Sequence, residues 1–363
     1  MTVLYVLAAL LLLGILIVVH EGGHFLAARL TGIPVREFSI GFGPLIYKHE
    51  GKKHGTLFSL RLIPAGGFCA FYGEDDPDEK SHEDPRAFSR APVWKRALTV
   101  FMGPGMNFIL ALAVAFGFYL VGGEIADVEY GKCALVSVQE GSAAAQGGLE
   151  AGDLVLEING EDASGLGTGE SLRLTELIAA YQEGDAPLRF LVDRHGGEVS
   201  CEVTPTYDAA EGRMMVGIVI QPEVTYLYAP VTIGRAASLS ASYCWEAGTA
   251  IWTSLGNLIT KGEGLENTGG PVRIIQTITE ETKAYGFEAY IFLLILISVN
   301  LGLMNLLPIP GLDGSRILFL LAEACLRRPL NRKVEATIQT AGLFLLMGLF
   351  VVLTYRDILH LFQ

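Results

Sequence analysis

The run VLYVLAALLLLGILIVV, Val3–Val19, followed at once by HEGGH, His20–His24, decides the fold. No Asp, Glu, Lys, Arg or His interrupts it, and at 1.5 Å per residue a helix from Val3 to His20 covers about 26 Å of a ~30 Å hydrocarbon core. Three further stretches are as free of charge: Ala97–Gly123, Ala289–Leu312 and Ala336–Tyr355. With 51% hydrophobic against 18% charged residues over 363 positions, the chain is too apolar for a water-soluble protein. It reads as an α-helical polytopic membrane protein with four transmembrane helices. No basic residue precedes the first run, which leads directly into the histidines, so it reads as a retained span rather than a cleaved signal. A net charge of -13 argues against nucleic acid or an anionic lipid surface as a partner, because both demand a basic face, and five cysteines are too few for a disulfide framework.

Charge sets the expected orientation. Residues 29–96 hold 11 Lys+Arg and 9 acids, and the loop before the last span adds Arg316, Arg327, Arg328, Arg332 and Lys333. Residues 122–290 hold 9 Lys+Arg against 25 acids. Basic residues beside span ends stay in the cytoplasm, so the acidic block and both termini are expected outside. The expected order is a first span over 1–30, a cytoplasmic loop over 31–96, a second span over 97–123, an exported domain over 128–222, a helix and linker over 223–288, a third span over 289–314 and a fourth over 334–357. Ala236–Thr260 carries one charge, Glu246, and competes as a fifth span. Its stripe of Leu239, Tyr243, Ala247, Ile251, Leu255 and Leu258 suits an amphipathic helix lying on the outer surface.

The exported block alternates strands with helices. Strands are expected at Ala134–Val138, Leu154–Ile158, Leu188–Val192, Glu198–Val203 and Met215–Ile220, with helices at Ser142–Gly147 and Leu172–Tyr181. With GLEAGDLVLEING at its centre, the order resembles a circularly permuted bacterial PDZ domain, whose groove strand would be Gly217, Ile218, Val219 and Ile220. Cys133 and Cys201 both lie here and could pair.

His20 and His24 fall four residues apart, one above the other on a helix, which lets both imidazoles bind one Zn2+ while Glu21 sits beside it as general base. Ionisable groups at the end of an apolar span are expensive and mark function. Gly22 and Gly23 leave room on that face for a close backbone, such as a substrate's. A zinc hydrolase needs a third protein ligand. Asp313 is the first carboxylate after the third apolar stretch, reached through Pro308 and Pro310, which break the helix. Span parity brings Asp313 to the same side of the membrane as the histidines. Asn300 and Asn305, on the same expected helix, suit substrate backbone binding or support of a ligand.

HEGGH in the first span, GPGMN at Gly103–Asn107, GGPVRI at Gly269–Ile274 and NLLPIPGLDG at Asn305–Gly314 together resemble the site-2 proteases, in particular the bacterial RseP-type enzymes with a single PDZ domain. Arg273 and Ser315 stand where that family often has glycine. The loop GTLFSLRLIPAGGFCAFYG, Gly55–Gly73, resembles the family's membrane-associated β-hairpin, with one strand around Ser59, a turn at Pro64–Gly67 including Gly66, and a second strand from Phe68 to Tyr72. The resemblance implies a zinc metalloendopeptidase of the bacterial inner membrane. Its active site would face the cytoplasm and its PDZ domain the outside. Implied substrates are single-span membrane proteins such as anti-sigma factors, or remnant signal peptides, with peptide C-termini as PDZ partners and the bilayer as environment. A catalytically silent PDZ scaffold and another polytopic zinc peptidase are the alternatives; the complete set of His20, Glu21, His24 and Asp313 weighs against the first, and an exported PDZ-like block against the second.

Overall fold

The computed structural model describes residues 2–52, 55–74, 84–167, 171–208, 212–262 and 269–360. The chain divides into two units, Met1–Val121 with Thr232–Gln363, and Gly122–Val231.

The first unit is helical. Four of its helices are long and apolar enough to cross a membrane, over Val3–Thr31, Val93–Gly122, Pro271–Asn305 and Lys333–Leu359. They belong to α1 (Thr2–Thr31), α2 (Val93–Gly122), α6 (Pro271–Asn305) and α8 (Arg332–His360). Ala9, Leu12 and Leu16 of α1 pack with Ile278 and Leu294 of α6. The third helix differs from the expected span at both ends. It starts at Pro271, because Glu280, Glu281 and Lys283 interrupt hydropathy but not helix formation, and it bends at Gly286, whose φ of 74° few other residues adopt. It ends at Asn305, ahead of Pro308, and α7 (Asp313–Leu326) then opens on the expected acid.

Ile233–Lys261 forms one helix, α5, and is not among the four candidate spans. Its stripe does not face outward. Tyr243, Ala247 and Ile251 pack on Ala111 and Ala115 of α2 and on Ile295 and Val299 of α6, while Trp245 and Trp252 are exposed. An apolar stripe is buried by whatever apolar surface is nearest, here two neighbouring helices.

The loop after α1 holds β1 (Val35–Glu50) and β2 (Leu57–Phe71). The reversal expected at Pro64–Gly67 is present although β2 is continuous through it: Leu57–Leu60 run alongside Glu37–Ile40 in the same direction and Gly67–Phe71 return along Ile40–Val35 in the opposite one, with β1, which the sequence reading left out, between the two arms. Residues 35–40 are central: Val35 to Ile40 lie opposite Phe71 to Gly67 on one side, and Glu37 to Ile40 opposite Leu57 to Leu60 on the other. Gly41 and Gly43, at φ 87° and 78°, carry the bend that lets residues 45–50 return along 57–61. The far end of this sheet exposes Leu45, Ile46, Tyr47, Leu62 and Ile63.

The second unit is a sheet ordered β10-β3-β4-β6-β7, with β5 paired to β4. Its strands are β3 (Glu124–Val138), β4 (Leu154–Ile158), β5 (Glu161–Asp162), β6 (Leu188–Arg194), β7 (Gly197–Val203) and β10 (Ile218–Ala229); β8 (Thr206–Asp208) pairs with β9 (Arg213–Met215). Helices α3 (Ala143–Gln146) and α4 (Arg173–Ala179) complete it. Alternation gives β6 its buried face, Phe190 and Val192, and a register shift between Val155 and Glu157 brings Val155 and Ile158 of β4 against it, closed by Leu174 and Ile178 of α4. The expected strand Met215–Ile220 is two pieces, broken at Gly217 with φ 79°. Cys133 and Cys201 are both buried in this core as free thiols.

Candidate metal centre

HEGGH falls in the second half of α1, a 30-residue helix longer than a hydrocarbon core requires. His20, Glu21 and His24 are all buried. α7 begins at Asp313, and the Oδ2 atom of that side chain lies 3.2 Å from His20 Nε2 and 3.3 Å from His24 Nε2. These three side chains form the one group of three or more His, Cys, Asp or Glu among the described residues whose ligand atoms lie within 4.8 Å of one another.

Protonation chemistry tests whether such a cluster fits a cation. His24 Nδ1 lies 3.0 Å from the Thr99 carbonyl oxygen, an acceptor, so Nδ1 carries the ring proton and Nε2 a lone pair. Asp313 Oδ2 is buried without a hydrogen-bond partner. Lone pairs turned toward each other in an apolar surround repel unless a cation sits among them, so the donor set fits a divalent metal with nitrogen and oxygen ligands.

A model of peptidase family M50 matches residues 8–349. The chain belongs to peptidase family M50, that of the site-2 proteases. A protein of Agrobacterium fabrum named "putative zinc metalloprotease" is 33% identical over 375 residues, taking in 98% of this chain and 95% of that one. A Nostoc protein of the same name is 31% identical over 362 residues, 97% and 95% of the two chains. The regulator of sigma-W protease RasP of Bacillus subtilis is 30% identical over 437 residues, 98% and 99% of the two.

In this M50 metalloprotease the packing that seats the histidines depends on missing side chains. A Cβ on Gly103 would lie 2.2 Å from His24 Nε2, and one on Gly23 would lie 2.0 Å from the Met102 carbonyl oxygen. The room expected beside Gly23 for a substrate backbone is therefore filled by α2; the space beside Gly22 is open. Pro104 removes one N–H from α2 at this level, so the backbone there has carbonyl capacity to spare.

Two polar supports were not anticipated as such. Asn107, within GPGMN and fully buried, places its Nδ2 3.1 Å from His20 Nδ1, and Ser298 Oγ donates to the Asn107 carbonyl at 2.7 Å. A half-turn of the amide presents Oδ1, which has no other partner, to a His20 Nδ1–H and frees His20 Nε2 for a metal. A buried Asn on an otherwise apolar helix was the available signal. The second support is Gln339 of α8. Its Oε1 accepts from the Gly311 N–H at 2.7 Å, and its Nε2 donates at 2.8 Å to Ser315 Oγ, which itself donates to the Leu312 carbonyl at 2.7 Å. Ser315, the departure from the family's glycine, thus ties the turn around Asp313 to α8. Gly314 and Gly342 complete the fit, since a Cβ on either would lie about 2 Å from the Leu306 or Pro310 carbonyl oxygen. At the far end of α7, Arg96 grips Glu323 with bonds of 3.0 and 2.6 Å.

Other expected site residues fall elsewhere. Asn305 Nδ2 donates to Leu301 O, within its own helix, and Asn300 is exposed on α6. Pro308 and Pro310 sit in the turn between α6 and α7, as expected. Ser59 Oγ donates to Glu37 Oε1 at 2.6 Å, inside the sheet. Pro64 and Gly66 lie within β2, but Gly67 meets the site directly: a Cβ there would be 2.9 Å from Glu21 Cγ and 3.1 Å from Ile17 Cγ2. In the second unit, Ile218, Val219 and Ile220 lie opposite Val138, Ser137 and Leu135 on the edge strand β10, with Val219 exposed.

Proposed function

We propose that this metalloprotease is an intramembrane zinc endopeptidase that cuts transmembrane segments of single-span proteins, with His20, His24 and Asp313 as ligands and Glu21 as general base. The observation that carries the reading is the convergence of Asp313 Oδ2 on both Nε2 atoms, on and beside helices long and apolar enough to cross a bilayer. Zinc, when bound, acts as a Lewis acid on water and on the scissile carbonyl. Glu21 takes the proton of the attacking water and returns it to the leaving amine.

A peptide bond inside a helix is shielded by its own hydrogen bonds, so the substrate must be extended before attack. Residues 67–71 pair on one side only among the described residues, and Gly67 brings that strand against Glu21. An extended substrate added along this edge would be held by backbone hydrogen bonds beside the base. The exposed apolar end of the sheet suits contact with lipid. Asn300 and Asn305 have a supporting role at most, on the substrate side of α6. The charge asymmetry favours a bacterial inner-membrane enzyme with the metal toward the cytoplasm and the β unit outside. There the β unit acts as a PDZ domain, either a size filter or a reader of new C-termini along β10. RasP, by name a regulator of sigma-W protease, supports substrates of the anti-sigma type; remnant signal peptides share the same chemistry.

The test is Glu21→Gln, with candidate single-span substrates co-expressed. Size and hydrogen bonding persist but proton acceptance is lost, so cleavage should fall at least ~100-fold while zinc content is kept. Near-normal cleavage would remove Glu21 from the mechanism.

A further inference from the structure

We propose that the end of α7 and the start of α2 form a binding site for the headgroup of an anionic phospholipid, on the side of the membrane that holds the metal centre. A concavity of about 310 Å³ lies there, lined by Val93, Glu323, Ala324, Arg327, Arg328 and Pro329. Its one acid is already committed, since Glu323 takes both bonds from Arg96. Its two cations are not: among the described residues neither Arg327 nor Arg328 has a hydrogen-bond or ion-pair partner. The concavity therefore presents net positive charge with ten N–H donors to whatever enters.

The backbone points the same way. Arg327 ends α7 at φ 52° and ψ 29°, a left-handed conformation that glycine or asparagine adopts at far less cost. Among the described residues no acid pairs with an arginine at that position. A ligand outside the protein can.

The surroundings select a lipid over a free anion. Leu318, Leu321 and Cys325 follow one another at helical spacing along α7 and are all exposed, so an apolar stripe leads up to the two arginines. Trp94, next to Val93 on α2, is 62% exposed and lies beneath the Lys95 ammonium at 5.7 Å, an arrangement suited to the headgroup level of a bilayer. A phosphate on the arginines with an acyl chain along Leu318 and Leu321 satisfies both halves of the site; inorganic phosphate satisfies one. Basic residues at a span end also orient a membrane protein, but that role requires neither a concavity nor a left-handed arginine.

The experiment uses the purified full-length chain equilibrated with mixed micelles of phosphatidylglycerol and phosphatidylcholine, with retained lipid identified by native mass spectrometry. The wild type should retain phosphatidylglycerol over phosphatidylcholine by about tenfold or more, the scale of two basic residues at a membrane surface. Arg327→Gln with Arg328→Gln should bring that ratio close to one. Arg327→Gly guards against misfolding, because it removes the cation and the left-handed cost together: it should lower the ratio several-fold without lowering the melting midpoint. No preference in the wild type, an unchanged ratio in the double variant or in Arg327→Gly, or full displacement of the lipid by millimolar inorganic phosphate would each overturn the proposal.

Discussion

The two units of this M50 metalloprotease keep their polar groups in opposite ways. In the β unit the chief buried acid, Asp153, is served by near neighbours and one sheet partner: the Glu150 N–H at 2.9 Å and Arg194 through Nε at 2.7 Å and Nη2 at 2.8 Å. In the helical unit the polar contacts around the candidate metal centre mostly join one helix to another, the Ser315 bond to the Leu312 carbonyl being local. His24 meets Thr99, His20 meets Asn107, both histidines meet Asp313, and Gly311 meets Gln339. The first kind of network lets a domain fold as a local unit. The second exists only once the helices are assembled, so the centre measures whether α1, α2, α7 and α8 have come together.

The largest effect should come from the carboxylate that joins these helices. Asp313→Asn replaces the proposed anionic ligand by a neutral side chain and leaves the two imidazoles without a counter-charge. Zinc content of the purified protein should fall to background and cleavage with it. Full occupancy and activity would place the third ligand elsewhere.

Asn107→Ala separates position from ligation. It leaves all three proposed ligands and removes the partner of His20 Nδ1, so metal affinity should fall about 10–100-fold, the scale for supports of metal-bound histidines. Competition with a chelator measures this independently of cleavage. An unchanged affinity would mean that helix packing alone orients His20. Gln339→Ala acts one step further out, on the turn that carries Asp313, and a smaller loss of a few-fold is expected. Gln339→Glu should restore part of the loss, because a carboxylate accepts both from the Gly311 N–H and from Ser315 Oγ, which lies 3.2 Å from Gln339 Oε1.

The same contrast explains what could be read from the sequence. β4 was legible to the residue because Gly152-Asp153 and Asn159-Gly160 bracket a short, mostly apolar run, and local signals define a local element. His20, Glu21, His24 and Asp313 were legible because their chemistry is conspicuous in apolar surroundings. Their supports were not. Asn107 reads as a packing polar until α1 is laid beside it, and Ser315 as a harmless departure until α8 supplies Gln339. In the sheet of residues 35–71 the turn-like composition of Pro64–Gly67 marked the reversal, but β1 went unread, because its pairing with both arms of residues 57–71 is long-range. The stripe on α5 was right in phase, and its cover, α2 and α6, came only with the structure, since periodicity specifies a face and not what covers it.

The smallest effect expected at the metal is that of changes in the β unit, and Asp153 gives it a pH signature. The bonds from Arg194 hold its carboxyl below the ordinary carboxylate range, against the upward push of burial, and the Glu150 N–H adds to the lowering. A group whose folded pKa is depressed stabilises the fold above its unfolded pKa and loses that contribution as pH falls through the folded one. The β unit should therefore keep this contribution at neutral pH and lose it progressively below about pH 4, the ordinary value for Asp. Asp153→Asn should destabilise the unit by about 1–3 kcal/mol at pH 7, the scale of a lost buried charged hydrogen bond, and flatten the acid limb of its stability profile. Hydrogen exchange resolved by segment reads both units at once: protection should drop across β3, β4 and β6 and stay unchanged in α1 and α2, with zinc content intact. A parallel loss of zinc in Asp153→Asn would mean that the helical unit does not assemble independently of the β unit, and the division drawn between the two networks would fail.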